Sequence, residues 1–269
     1  KELVVPTNWD DFLLVAEFFQ RPADNLYGTV LAAFPDGHNT VYDFCLQLWA
    51  RGGELTRNES GVIDIDSQEA VEALTFYRNW VNNKDITHPE SEQYESVKAG
   101  LAFARGEAAM MINWFGFAAM CEVADMSTVK GKVDVARIPS KDQMESSSLN
   151  IYWLYAVGAG SKHKNLAYDF IRFATGKAND KLLTLEGGIG CRKSTWKDAE
   201  INAIIPYYHK LEELHLHAKT LPRKANWAAV AELIDEMVVA AINTEEPSAQ
   251  LIKKAQKQIE KIDQAQALS

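Results

Sequence analysis

Apolar residues recur at helical spacing along most of the chain, and only a few short stretches break that rhythm. Phe12, Val15, Ala16 and Phe19 share one face of a first helix. Thr7 or Asn8 can cap it, and Asp10 and Asp11 suit its positive end. Arg21-Pro22 stops that helix. A second helix spans Val41 to Ala50 and ends at Gly52-Gly53, where a left-handed residue is needed. Asp66 and Glu69 form a capping-box pattern ahead of Val71, Leu74, Tyr77 and Val81. Further helices are predicted over 90–104 (ending at Gly106), 181–186, 199–217 (kinked at Pro206), 226–242 and 248–267, with one more marked by Leu166, Phe170, Ile171 and Phe173-Ala174 and closed by Gly176.

Strand-like stretches are shorter. Val62-Ile63-Asp64-Ile65 alternates like an edge strand. Ala108 to Ile112 is too apolar and too short for an amphipathic helix and reads as a buried strand. Residues 133–138 and 151–157 read as two more, the last buried on both faces. The pattern is α/β, with short strands among many helices and no internal repeat.

Composition narrows the function classes. The 269 residues carry a net charge of −9, which argues against a nucleic-acid partner. The longest nearly apolar run, Ala108 to Cys121, is interrupted by Asn113 and Gly116 and falls short of the ~18 residues a membrane helix needs. The chain opens without a methionine or a signal peptide and so reads as processed or truncated. Cys45, Cys121 and Cys191 are too few and too scattered for a disulfide framework. Three buried thiols is the favoured reading, and one bridge with a spare thiol the alternative.

Catalytic patterns are not supported. Gly187-Gly188-Ile189-Gly190 follows no strand, which weakens it as a phosphate loop. His209, His215 and His217 lie on different helix faces and read as a solvated helix end, so no metal, cofactor or catalytic residue is assigned. Aromatic residues at element ends are the stronger signal: Tyr42, Trp114-Phe115-Gly116-Phe117, Tyr152-Trp153 and Trp227. Each alone is explained by core packing, but rings that meet at one cleft stack on sugar faces while neighbouring polar side chains bind hydroxyls.

Five motifs, in order and spanning almost the whole chain, resemble the extracellular solute-binding proteins of ABC importers, family 1, the maltodextrin-binding group. They are Pro6-Thr7-Asn8-Trp9-Asp10-Asp11-Phe12, Leu48-Trp49-Ala50-Arg51-Gly52-Gly53-Glu54, the run 103–110, Trp153-Leu154-Tyr155-Ala156-Val157 with Gly160-Ser161-Lys162, and the run 187–194. The resemblance implies a type II periplasmic-binding-protein fold, two α/β lobes closing like a hinge on a ligand. In the family the first motif lies well inside the chain, so the resemblance implies an incomplete N-terminal lobe. On this reading residues 1–140 are the first part of the C-terminal lobe, 141–191 a returning segment of the N-terminal lobe, and 192–269 further C-terminal-lobe helices. Ile151-Tyr152 and Gly190 depart from the family's Gly-Gly and Pro.

The implied function is capture of a sugar or oligosaccharide and delivery to permease subunits. It implies a monomer when full length, placed in the periplasm or tethered as a lipoprotein at the outer face of the membrane. The implied ligand residues are Tyr42, Trp114, Phe115, Asn113, Trp153 and Trp227, with His38 and Asn39 as polar candidates beside Tyr42. Three alternatives stay open. A carbohydrate-active enzyme would need a placed acid/base pair. A receptor for a polyol, sugar phosphate or polyamine would need cleft cations or clustered carboxylates. The third is a structural fragment that binds nothing.

Overall fold

A computed structural model describes residues 3–57, 61–141 and 144–267. In chain order the elements are α1 (Trp9–Phe19), β1 (Tyr27–Val30), α2 (Asn39–Trp49), β2 (Thr56–Arg57), β3 (Val62–Ile63), α3 (Gln68–Asn82), α4 (Ser96–Ala104), β4 (Ala108–Met111) and α5 (Phe115–Val123). Then follow β5 (Ser148–Leu149), α6 (Lys164–Ala174), α7 (Lys177–Leu185), α8 (Lys193–Trp196), α9 (Ala199–Ile204), α10 (Leu211–Leu216), β6 (Ala218–Lys219), α11 (Trp227–Asn243) and α12 (Ser248–Ala267).

The largest core lies where α2, α3, α11 and α12 pack together. Asn8 caps α1, its Oδ1 accepting the Asp11 amide at 2.8 Å, as the sequence suggests. On the buried side of α1, Trp9 and Phe12 meet Trp80 with ring centroids 5.8 and 5.2 Å away. Helix α3 is capped by Ser67, whose Oγ accepts the Ala70 amide at 3.1 Å, one residue beyond the expected Asp66. The Tyr77 hydroxyl on α3 donates to Asp43 Oδ2 on α2 at 2.9 Å. Burial, reinforced by the negative charge of Asp36 and opposed by that bond, pushes the Asp43 carboxyl up from 3.8 to about 7.

A second core joins α5 to the 193–211 region through Ala119, Trp196, Ile201, Tyr207 and Tyr208. Between these parts, buried Asp180 on α7 accepts the Cys191 amide at 2.9 Å and the Thr195 hydroxyl at 2.5 Å, tying α7 to the start of α8.

Among the described residues the sheets are two-stranded: β1 with β4 and β5 with β6 parallel, β2 with β3 antiparallel. Strand β1 has no sequence signal because Gly28 sits inside it. An added Cβ there would lie 2.3 Å from the Ala16 carbonyl oxygen, so only glycine lets α1 lie on the strand.

Four expectations are corrected. Residues 133–138 run without a ladder partner, so they are not a strand. Residues 151–157 are neither a strand nor buried: Trp153 is 97% exposed, Leu154 79% and Tyr155 68%, because no described strand lies beside them. The predicted helix over 199–217 is split into α9, a 3₁₀ turn at Tyr208–Lys210 and α10, because Pro206 has no amide to donate. Cys45 and Cys121 are buried free thiols, but Cys191 is exposed.

From 150 to 179 no residue is buried, and α6 turns Leu166, Phe170 and Phe173 to solvent.

Gly106 joins α4 to β4 at φ 77°, where a β-branched side chain is strained. Gly106→Val is expected to cost ~1–3 kcal/mol of stability, and an unchanged melting temperature would contradict it. The raised Asp43 carboxyl binds its proton more tightly folded than unfolded. Its contribution to stability is therefore full below about pH 4 and is lost as pH rises through about 7. Asp43→Asn should flatten that decline in urea titrations across the interval; an identical slope would contradict it. The uncovered apolar side chains of 151–173 should make the 269-residue chain self-associate. Trp153→Ser with Phe170→Ser should then shift sedimentation toward monomer; a wild-type chain that is monomeric at every concentration tested would refute this.

Candidate functional site

Helix α2 is buried on nearly every side. Only Asn39, Tyr42 and Asp43 keep partial exposure along it. Their i, i+3, i+4 spacing puts them on one stripe, which Leu46 continues. All four line a cavity of about 570 Å³. Asp36 holds the start of this helix, its Oδ1 accepting the amides of His38 and Asn39 at 2.9 and 2.8 Å. Its Oδ2 accepts the Asn39 side-chain amide at 2.6 Å, which leaves the Asn39 Oδ1 as an acceptor.

Facing this stripe is the turn between β4 and α5. Met111, Ile112, Asn113, Trp114 and Phe115 all line the cavity. The Tyr42 and Trp114 rings meet edge to face, 5.6 Å between centroids at 80°. Asn113 shapes the turn: its Nδ2 donates to the Ser96 carbonyl at 2.9 Å and its Oδ1 accepts the Trp114 amide at 2.8 Å. Phe115 is braced by Tyr208, 5.5 Å away.

The remaining wall comes from 133–138, from Ser148 to Tyr152, from Ile189 to Cys191, and from Trp196, His215 and His217. Lys210 Nζ donates to Asp134 at 2.6 Å and holds that carboxylate low against the opposing effect of burial. Arg137 pairs with Glu213 at 2.7 Å. His215 packs on the Trp196 ring at 5.8 Å.

Of the residues expected from sequence, the structure brings Asn39, Tyr42, Asn113, Trp114 and Phe115 to this one cavity. Three expected residues are not among its lining. His38 is exposed and turns back, Nδ1 lying 2.9 Å from the Asp36 carbonyl oxygen, so it stands outside with its ring 6.1 Å from Tyr42. Trp153 projects into solvent because its segment forms no strand. Trp227 packs against the large core at the start of α11. It lies about two turns before Asp235, the residue that receives the Thr40 hydroxyl near the cavity.

Sequence reasoning missed Asp43 and Trp196, noted Tyr152 only as an aromatic signal, and read His215 and His217 as a solvated helix end; all five also line the cavity. The signal for Asp43 was present: it continues the Asn39–Tyr42 stripe of a helix that is otherwise apolar or buried.

The match to known proteins agrees with this architecture. Residues 1–181 match the family described as bacterial extracellular solute-binding protein. A probable ABC transporter-binding protein of Deinococcus radiodurans is 24% identical over 172 residues, 64% of this chain and 40% of that protein. A putative ABC transporter periplasmic-binding protein of Escherichia coli K12, YcjN, is 32% identical over 108 residues, 40% of this chain and 23% of that one. Among solved structures, maltose-bound MalE3 of T. maritima superposes with a TM-score of 0.88 at 28% identity, over 96% of this chain and 66% of that one. A solute-binding protein of Thermotoga lettingae bound with α-D-tagatose gives 0.84 at 23% identity, over 96% of this chain and 64% of that one. The chain thus spans less than half of those two sequence relatives and about two thirds of these structures. Its fold is that of the type II periplasmic binding proteins, and the chain belongs to the bacterial extracellular solute-binding protein family.

Proposed function

We propose that this chain is the ligand-binding part of a receptor for an ABC importer, and that it takes a sugar or polyol in the cavity beside α2. The observation that carries this reading is the edge-to-face pair of Tyr42 and Trp114 in the cavity wall, flanked by the acceptor of Asn39. Flat rings cover the C–H face of a sugar ring, and neighbouring amide and carboxyl groups take its hydroxyls. Similar proteins were solved with maltose, ribitol and tagatose, which supports a polyhydroxylated ligand. The chemistry is binding; conversion of the ligand plays no part in it.

On this reading residues 1–140 and 192–269 make one lobe, and 141–191 belong to the other. In support, the two larger of the three buried cores join side chains of the first segment to side chains of the last. The full-length loaded protein, a monomer, passes its ligand to permease subunits in the periplasm or from a lipoprotein tether at the extracellular face of the membrane. Among the described residues no helix is long and apolar enough to cross a membrane.

The test is calorimetry with a panel of mono- and oligosaccharides and polyols on the full-length natural protein. Tyr42→Ala and Trp114→Ala are each expected to cost ~1–3 kcal/mol of binding, roughly 5- to 150-fold in Kd. Trp227→Ala should cost ~1–3 kcal/mol of folding stability and leave Kd unchanged, because that ring packs in the core. Equal affinity of all three variants and wild type would remove the cavity assignment.

A further inference from the structure

Asp43 is a half-buried carboxyl on the cavity wall, one residue from the stacking ring of Tyr42. One of its oxygens accepts the Tyr77 hydroxyl at 2.9 Å; among the described residues no other hydrogen bond reaches it. Among the described residues, the groups packed around it offer no compensating positive charge. Asp36 stands on the preceding loop, Asp235 on α11 behind Thr40, Tyr77 on α3 and the Cys45 thiol on α2 itself. Among the described residues Arg137 is the Lys or Arg that lines the cavity, and it is already paired with Glu213. A half-buried carboxylate without a cation beside it is costly, and a neutral hydroxyl satisfies an acceptor without cancelling its charge. An ammonium does both, and aromatic faces attract it as well.

We propose that Asp43 makes the cavity selective for a sugar bearing a protonated amine, seated between the Asp43 carboxylate and the Tyr42 and Trp114 rings. This rests on the sugar-binding reading above and narrows its ligand class. An anionic ligand, such as a sugar phosphate, is disfavoured by the same surroundings. Because the Asp43 carboxyl sits at about 7, an ammonium that binds it at about pH 6 displaces its proton to the buffer.

The experiment is calorimetry on the full-length protein at about pH 6, in two buffers of different ionisation enthalpy, with glucose, glucosamine, N-acetylglucosamine and putrescine. Maltose and ribitol serve as general sugar and polyol probes. Glucosamine is expected to bind at least tenfold tighter than glucose or N-acetylglucosamine, with net proton release. Asp43→Asn should abolish both the preference and the release, bringing the glucosamine and glucose affinities within about twofold of each other. The wild-type proton release stands independently of whether that variant folds. Glucose binding as tightly as glucosamine, a preference that survives in Asp43→Asn, or amine binding without proton release would each overturn the proposal and leave the sugar reading intact. Putrescine binding more tightly than glucosamine would overturn the requirement for a ring. Failure of every sugar and polyol to bind would instead overturn the sugar reading itself.

Discussion

Burial of α2 is the constraint from which the rest of the molecule follows. Thr40, Val41, Phe44, Cys45 and the run from Leu46 to Trp49 are all withdrawn from water beneath α3 and α11. A helix surrounded in this way can present a ligand surface only along a gap in its covering, and the gap here is the stripe of Asn39, Tyr42 and Asp43. The cavity is therefore shaped by core packing. Its side chains stand on an element held by α3 and α11 within the largest core, which suits a site that must keep ring faces in fixed orientation.

The helical skeleton was readable in advance where periodicity and punctuation agreed. Asn8, Gly52 and Gly106 mark boundaries the structure observes, and the amphipathic tail from Ser248 to Ala267 is the observed α12. Strands were less legible. The four residues of β1 contain Gly28, kept small by the Ala16 backbone on a neighbouring helix, a contact no local window encodes. At 151–157 the residue pattern is that of a covered strand, yet a pattern states only what a segment needs, and no described strand of this chain supplies it.

Half of the candidate site was legible for a related reason. Position at an element end brought Tyr42 and Trp114 to notice, and both line the cavity. The same criterion selected Trp227 and Trp153, which do not. An element end fixes height along an axis and leaves rotation about it free, and rotation decides whether a ring meets ligand, core or water. Asp43 escaped notice because one acid in a helix ordinarily marks a solvated face. Only the burial of its neighbours turns it into a buried functional group.

The distribution of the seven tryptophans has an optical consequence. Trp9, Trp49 and Trp80 lie in the core and Trp227 packs against it, while Trp153 lies outside the cavity lining. Trp114 and Trp196 line the cavity. A solute that enters changes the polarity around these two indoles while the other five keep their surroundings. Emission from the native protein, without any attached dye, is then a sum of a constant background and a part that follows occupancy. The fold has in effect given the cavity its own gauge.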